Sequence, residues 1–588
     1  MARHLFNPIR VLLPLLLALV LLVAVACGSA EQPTQAPVVA ATQAPAVDAT
    51  QVPAAQATKA PDPTEAMAQS DGKSGGHVRM SAYADTKDWD AKGSSSLSSV
   101  QAYSQLYNQV VQYGTTDTSE IVGDLAESWE VSSDGVTYTF KLLDNVKWQD
   151  GKDLTADDVV YSLSRYMDPD TKTARSGLFR NYTLPPAEGG IKKIDDLTFE
   201  MKLQFSTGAF MSFFAIDYVK ILPKHLKDVD LNQAENIIEF KAGSGPFVLD
   251  EYQRGNSYKV SKNPDYFKDG RPYFDSIDHF IITDTGTLQA QFKAGQIDMQ
   301  NGGFSSLSPT EYKQLADDLK GELILNEISP SFNVGLMINV KKEPFTDPRV
   351  RKAIYLALDR QQINSLLQDN TAAMATTIFL PGMGYTVEEA MDWPGLRQPK
   401  DEDIAEAKRL LAEAGFPDGF TTTYDARQVG DYADVCAVVK QQLKEALNID
   451  GEIRTHESAA GYALFGSSRP PDSKGEWNLA CQGEGMVVVD PDGVFGGVYR
   501  KGGTRNYTDW TNPKVEALFE LQKLEQDPDK RRVIIKEVED FLRSFEDNHW
   551  ITVYWGKFFW LVHKDIKGFR APNTVQYGFK HEDLWLDR

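Results

Sequence analysis

Three cysteines and eight histidines in 588 residues leave little material for a thiolate or imidazole metal centre. His4, His77, His225, His279, His456, His549, His563 and His581 include no pair at ligand spacing. H-E-x-x-H, paired C-x-x-C and phosphate-binding loop motifs are absent. Basic residues are outnumbered, 61 Lys+Arg against 83 Asp+Glu, giving a net charge of −22. That balance argues against a nucleic-acid binder, which needs a basic face to displace counterions from phosphates. The long apolar run is confined to the N-terminus, which excludes a polytopic membrane protein. With 42% hydrophobic and 24% charged residues, wholesale disorder is excluded as well. A single core stops growing near ~250–300 residues, so the chain should divide into at least two lobes.

Residues 1–26 read as an export signal, with Arg3 and Arg10 followed by an apolar stretch from Val11 to Ala26. That stretch of about 16 residues is short for a bilayer span, which takes roughly 20. The tail Val23-Ala24-Val25-Ala26-Cys27 resembles the lipobox of bacterial lipoproteins. The resemblance implies that Cys27 is diacylated and becomes the mature N-terminus; the alternative is an uncleaved anchor helix. Both place the rest of the chain outside the cytoplasm at a membrane surface, in a periplasm or on the cell exterior. Residues 27–76 comprise Cys27 and a tether rich in Ala, Pro, Thr and Gln, without aromatic residues or apolar periodicity. It cannot bury enough surface to offset chain entropy, and its prolines make it an extended spacer. Gly72-Lys73-Ser74-Gly75-Gly76 matches G-x-S-x-G but has no strand before it or helix after it, so it reads as linker.

The body, residues 77–588, mixes strand and helix patterns. Trp129 and Val131, then Asp134-Gly135, then Val136, Tyr138, Phe140 and Leu142 predict a hairpin with one buried face. Leu197, Phe199, Met201 and Leu203 alternate likewise. Helices are predicted from Asp347-Pro348, Asp403 (ending at Gly415), Asn512-Pro513 and Asp527-Pro528, the last burying Ile534, Val538, Phe541 and Phe545. The pattern is mixed α/β with at least two sheets.

No group of residues demands catalysis. Asp157 and Asp158 follow Thr155, where acids favour a helix start. The stretch from Asp265 departs from a calcium loop at Phe267 and Ser276. Cys436 falls in an apolar helical run and Cys481 in a strand; export permits a disulfide, and two buried thiols are the favoured reading. Neither cofactor nor metal is expected. Aromatic and polar residues at strand ends are the candidate ligand contacts: Tyr83, Trp89, Trp477, Glu484 and Asp490.

Five stretches, in order, resemble the extracytoplasmic solute-binding proteins that serve ABC importers of peptides and nickel. They are Leu125-Ala126-Glu127-Ser128-Trp129 through Val159, Gly243-Ser244-Gly245-Pro246-Phe247 with Asn263-Pro264-Asp265-Tyr266-Phe267, Asn339 with Pro344-Phe345 and Asp347-Pro348-Arg349-Val350-Arg351, Ala407 through Ala414-Gly415-Phe416, and Asn506-Tyr507 with Asn512-Pro513. The resemblance implies a two-lobed, type II periplasmic-binding-protein-like fold with a hinge. It implies lobe I at about 77–112, 205–335 and 551–588, an extra subdomain at about 113–204, and lobe II at about 336–550. Asn333 joins the candidate contacts because it precedes the apolar run entering the expected hinge.

In peptide-binding members an aspartate three residues before an acid-Pro pair holds the peptide's α-amino group. Here the pair is Asp490-Pro491 and that position is Val487. Either Glu484 substitutes, or the ligand lacks a free amine, as an oligosaccharide does. The resemblance therefore implies a monomeric, membrane-tethered receptor of an ABC permease that captures a short peptide or carbohydrate between two lobes and releases it unchanged. The alternative is a secreted, surface-anchored hydrolase of sugars or peptides.

Overall fold

A computed structural model of the chain describes residues 72–86, 88–91, 96–114, 118, 120–168, 176–302, 307–503, 505–525 and 527–588. Cys27, the signal and most of the tether lie outside the described residues. The last tether residues do not: Gly75 donates its backbone N–H to Tyr273 O at 2.8 Å, and Lys73 pairs with Asp587. The linker as read from composition therefore ends a few residues too late.

Two long strands organise the body. Leu323–Ile338 and Trp550–His563 run antiparallel, and each passes from one half of an 11-stranded sheet into the other. Both are rich in β-branched and aromatic residues that suit a pleated, buried surface. In the first half, Leu323 to Ile328 pair with His563 to Phe558, and the sheet continues through Met299–Gln300, His77–Ala82, Ser276–Ile281, Ser257–Lys262 and Phe247–Gln253. In the second half, Phe332 to Met337 pair with Gly556 to Trp550, and the sheet continues through Leu479–Gly485, Phe420–Arg427 and Ile449–His456. The register breaks between Ile328 and Phe332. Pro330 lies in that break and has no N–H to give a ladder. The ladder between the two strands is thus interrupted where they pass from one half of the sheet to the other.

Separate cores flank the crossing, one around Trp560, Val562 and Phe579, the others around Leu336 and Val553 and around Trp477 and Trp555. A smaller antiparallel sheet, Ala126–Val131, Thr137–Leu142, Thr198–Lys202 and Ile191–Lys193, packs on the first lobe. Gly135, at φ +71°, turns its hairpin as Asp134-Gly135 predicts. Thr155 and Asp158 form a capping box on the helix Ala156–Met167.

Three local expectations need correction. The helix predicted from Asp403 begins earlier, as Asp401–Glu413; Asp403 is buried and accepts from Gly395 N–H, Arg397 and Lys400. On the helix Pro528–Ser544, Val538 and the capping Phe545 are buried as expected, but Ile535, Glu539 and Leu542 replace Ile534 and Phe541, which are half-buried. The Glu539 carboxylate accepts from the Thr376 and Thr377 hydroxyls and Tyr385 N–H. Cys436 and Cys481, favoured as separate thiols, are joined in a disulfide with Cα atoms 5.6 Å apart. The helix Tyr432–Leu447 lies directly over the strand Leu479–Gly485 and brings the two Cβ atoms into range.

Candidate functional site

A cavity of about 270 Å³ opens where the two strands cross. The first lobe contributes Ser308, Tyr312 and Phe559, the second contributes Gln368 and Val429 to Tyr432, and the crossing strands contribute Phe332, Tyr554 and Phe558. Its walls are therefore aromatic with a few polar groups, the composition that holds a small polar guest. Glu311, Asp431 and Asp434 outnumber the cavity's lysine, Lys557, which pairs with Glu327 at 3.1 Å.

Asp431 ends the turn between the strand Phe420–Arg427 and the helix Tyr432–Leu447. Loops at the carboxyl ends of sheet strands are where such folds place ligand groups. Its Oδ2 accepts from Gln368 Nε2 at 2.6 Å and from the Tyr554 hydroxyl. Burial pushes the carboxyl up, against those two hydrogen bonds.

Tyr432 connects this cavity to a polar cluster. Arg427 stacks 5.4 Å from the Tyr432 ring and 4.0 Å from that of Tyr462, donating to Gln482 Oε1 and Ser458 Oγ. No carboxylate pairs with Arg427 among the described residues. Arg505 donates to Gly483 O and to the Tyr462 hydroxyl, and pairs with Glu484 at 3.1 Å. Burial alone would lower the Arg505 pKa, but Glu484 and the surrounding tyrosines outweigh it and raise it. Gln482 Nε2, Ser331 Oγ and Gln576 Oε1, all at this strand end or its hinge, are buried without a hydrogen-bond partner. Buried orphan polar atoms cost free energy unless a water or a guest meets them.

A second recess of about 250 Å³ lies between Thr207-Gly208 of the first lobe and the second lobe, lined by Asp490, Lys523 and Arg531 among others. There Lys523 sits 4.6 Å over the Phe205 ring and Tyr182 donates its hydroxyl to Asp492. Burial, then Asp490, pushes Asp492 up to about 6.

The sequence candidates are scattered over this geometry. Tyr83 accepts from Ser98 N–H at 3.1 Å, inside the first lobe. Trp89 packs edge-on against Tyr252 and Tyr258 in the same core. Asn333 is buried in the crossing strand, held by Trp550 Nε1 and Thr552 Oγ1. Trp477 donates to Phe465 O and Ser468 Oγ within the second-lobe core. Asp490 forms a two-pronged ion pair with Arg531, both contacts at 2.8 Å. Only Glu484 joins the polar cluster beside the cavity. Val487 is not an acid in disguise: it packs with Val488 into the first-lobe core, and its carbonyl accepts from Thr574. Arg427, Asp431, Tyr432, Tyr462 and Arg505, in or beside the cavity, are not among the sequence candidates. The one signal for them is Gly430-Asp431 between a strand and a helix pattern.

Among the described residues no His, Cys, Asp or Glu group is placed to hold a metal ion, and no helix is long and apolar enough to cross a membrane.

Two lobes, two strands shared between them and an aromatic cavity with a few polar groups lined from both sides are the architecture of a solute receptor. Comparison makes the family explicit: residues 120–506 match the model for the bacterial extracellular solute-binding proteins, family 5, and the chain belongs to that family of ABC-importer receptors. It is 29% identical over 491 residues to the oligopeptide-binding protein AppA of Bacillus subtilis, covering 79% of this chain and 83% of AppA. To the glutathione-binding protein GsiB of Salmonella paratyphi A it is 26% identical over 484 residues, 80% of this chain and 88% of that one. The fold matches a Helicobacter pylori DppA structure in complex with the peptide STSA, with a TM-score of 0.73, 22% identity and coverage of 88% and 99%.

Proposed function

We propose that this receptor captures a peptide-type solute in the cavity at the strand crossing and passes it unchanged to an ABC permease. The observation that carries the reading is Arg427: a buried guanidinium beside the cavity, facing two tyrosine rings, the Gln482 amide and the Ser458 hydroxyl and, among the described residues, no carboxylate. Guanidinium forks are suited to carboxylates, so a peptide's C-terminal end is the guest that completes the cluster. Relatives that bind oligopeptides and glutathione support the same class. A neutral oligosaccharide would leave the charge unmet.

The motion belongs to the crossing. Lobe I at about 77–112, 205–335 and 551–588 and lobe II at about 336–550 rotate about Ser329 to Ser331 and Gly556, with the subdomain at about 113–204 riding on lobe I. A guest that touches both lobes binds the closed form better and so shifts the population toward it. Glu484 holds Arg505 in place, and Asp490 keeps the outer rim in register through Arg531. A lipid on Cys27, with residues 28–71 as leash, keeps the monomeric body at the membrane; two or more acyl chains suffice for stable anchoring.

Thermal unfolding of the purified protein against a peptide panel and an oligosaccharide panel tests the ligand class, because a guest bound by the native state alone raises the apparent Tm. Peptides with a free C-terminal carboxylate should raise Tm and the same peptides as amides should not. A shift with oligosaccharides alone would overturn the reading. Mass spectrometry of the released guest should return its starting mass, and Cys27→Ala should move the protein from the detergent to the aqueous phase.

A further inference from the structure

Away from the crossing cavity the lobes meet a second time. The segment after the strand Leu479–Gly485 leaves the second lobe and enters the first. Val487 and Val488 are buried in the first-lobe core, and Val487 O accepts from the Thr574 hydroxyl. Asp492 follows at the head of the helix Asp492–Tyr499. Its carboxylate accepts from the Tyr182 hydroxyl, supplied by the subdomain, and from Gln522 Nε2 of the second lobe. The Tyr182 ring is wedged against Phe205 and Phe213, with centroids 5.9 and 5.3 Å away, so the hydroxyl is held from its own side of the seam. Asp492, Tyr182 and Lys523 are all buried there.

The charged groups around Asp492 are engaged elsewhere. On its own segment, Asp490 is taken by Arg531 of the helix Pro528–Ser544 through two contacts at 2.8 Å. On the helix Pro513–Leu524, Lys523 pairs with Glu520 at 3.1 Å and lies 5.2 Å over the Tyr182 ring. Arg500 also pairs with Glu520, at 2.8 Å, and the recess beside the contact adds Glu525. Among the described residues no Lys or Arg forms an ion pair with Asp492. Its ionised form is thus withdrawn from water with only two neutral donors. Burial, then Asp490, raises it to about 6.

Separating the lobes returns water to this carboxyl and restores its ordinary acidity. The closed form therefore holds the proton more tightly than the open one. The contact is at full strength below the ordinary carboxylate range and weakens as pH rises through about 6. We propose that the Tyr182–Asp492 contact is an acid-strengthened latch across the lobes, so that the receptor closes more readily in an acidic medium and opens as the medium turns alkaline. This rests on the lobe rotation above and not on the class of guest.

The test follows the distance between nitroxide labels on Asp250→Cys of the first lobe and Glu445→Cys of the second, both exposed positions. The full chain carries Cys27→Ala as well and is shown to be guest-free by native mass spectrometry. The open-to-closed ratio should rise about tenfold from pH 5 to pH 8, as an acid near 6 when closed and about 4 when open requires. Asp492→Asn should flatten that rise to within about threefold, and Tyr182→Phe should move the population toward the open form at pH 5. An unchanged rise in Asp492→Asn overturns the latch. A distance that ignores pH in the wild type but lengthens in Val487→Lys, which forces a charge into the seam, overturns the latch and leaves the lobe rotation standing. One unchanging distance in every protein, with or without a pancreatic casein digest, overturns the rotation and the latch with it.

Discussion

Two buried ionic regions of this molecule are solved in opposite ways. In the first lobe, Asp124 and Glu582 share Lys268 at 2.8 Å each, and Lys580 reaches Asp124 as well. Asn108, Gln109 N–H and Tyr266 fill the remaining acceptor positions. Burial alone would raise both carboxyls, yet the lysines outweigh it, holding Glu582 down at about 2 and Asp124 below the usual range. At the crossing, neither Arg427 nor Asp431 has an ionic partner among the described residues. The first arrangement ties the C-terminal segment to the lobe through a closed charge network; the second leaves its charges to neutral neighbours.

The contrast can be broken most severely in the first lobe. Lys268→Met should cost about 3–5 kcal/mol, because two buried acids would then share Lys580 alone, and the loss is read from denaturant unfolding at neutral pH. The double charge-neutral change Asp124→Asn with Glu582→Gln should recover part of it.

Glu539 sharpens the contrast within the second lobe, where burial pushes it up to about 7 against the hydrogen bonds from Thr377, Tyr385 N–H and Thr376. Its folded pKa exceeds its unfolded one, so its contribution is intact below the ordinary carboxylate range and is lost as pH rises toward 7. Glu539→Gln should therefore stabilise the protein at pH 8 by about 3 kcal/mol at most, and by little at pH 4. Equal effects at both pH values would refute the assignment.

A smaller effect is expected at Asp431. Its pKa is also raised, so the empty protein should lose stability as pH climbs through the folded value. Asp431→Asn should raise the Tm of the empty protein at pH 8, by less than Glu539→Gln does. The smallest effect belongs to Lys73→Ala. Its ion pair with Asp587 is well exposed on both sides, so no shift in Tm should be measurable.

The fold was largely legible because its signals are local. Thr155, Asp347, Asn512 and Asp527 cap the helices their types predict. Asp134-Gly135 turns a hairpin. Helix phase was harder: placing Ile534 rather than Ile535 inward is a one-residue error, and only tertiary packing reveals that Glu539 lies under Thr376 and Thr377. The site resisted for a different reason. Trp89 and Trp477 stand at strand ends, as ligand rings do, but large rings are also what cores are made of, and nothing local separates the two roles. Asp431 and Arg427 are ordinary residues in sequence. Their meaning lies in what fails to pair with them, and an absence of partners across distant strands has no local signature.

The position of Trp550–His563 in the sheet carries a consequence for how the molecule comes into being. That strand sits in the middle of the strand order, between Leu323–Ile338 and Met299–Gln300, yet it follows every other strand of that sheet in sequence. Neither half of the sheet has its central rib until residue 563 has been delivered. Emerging from its N-terminus, the chain completes both halves of the sheet only once this strand has followed all their other strands.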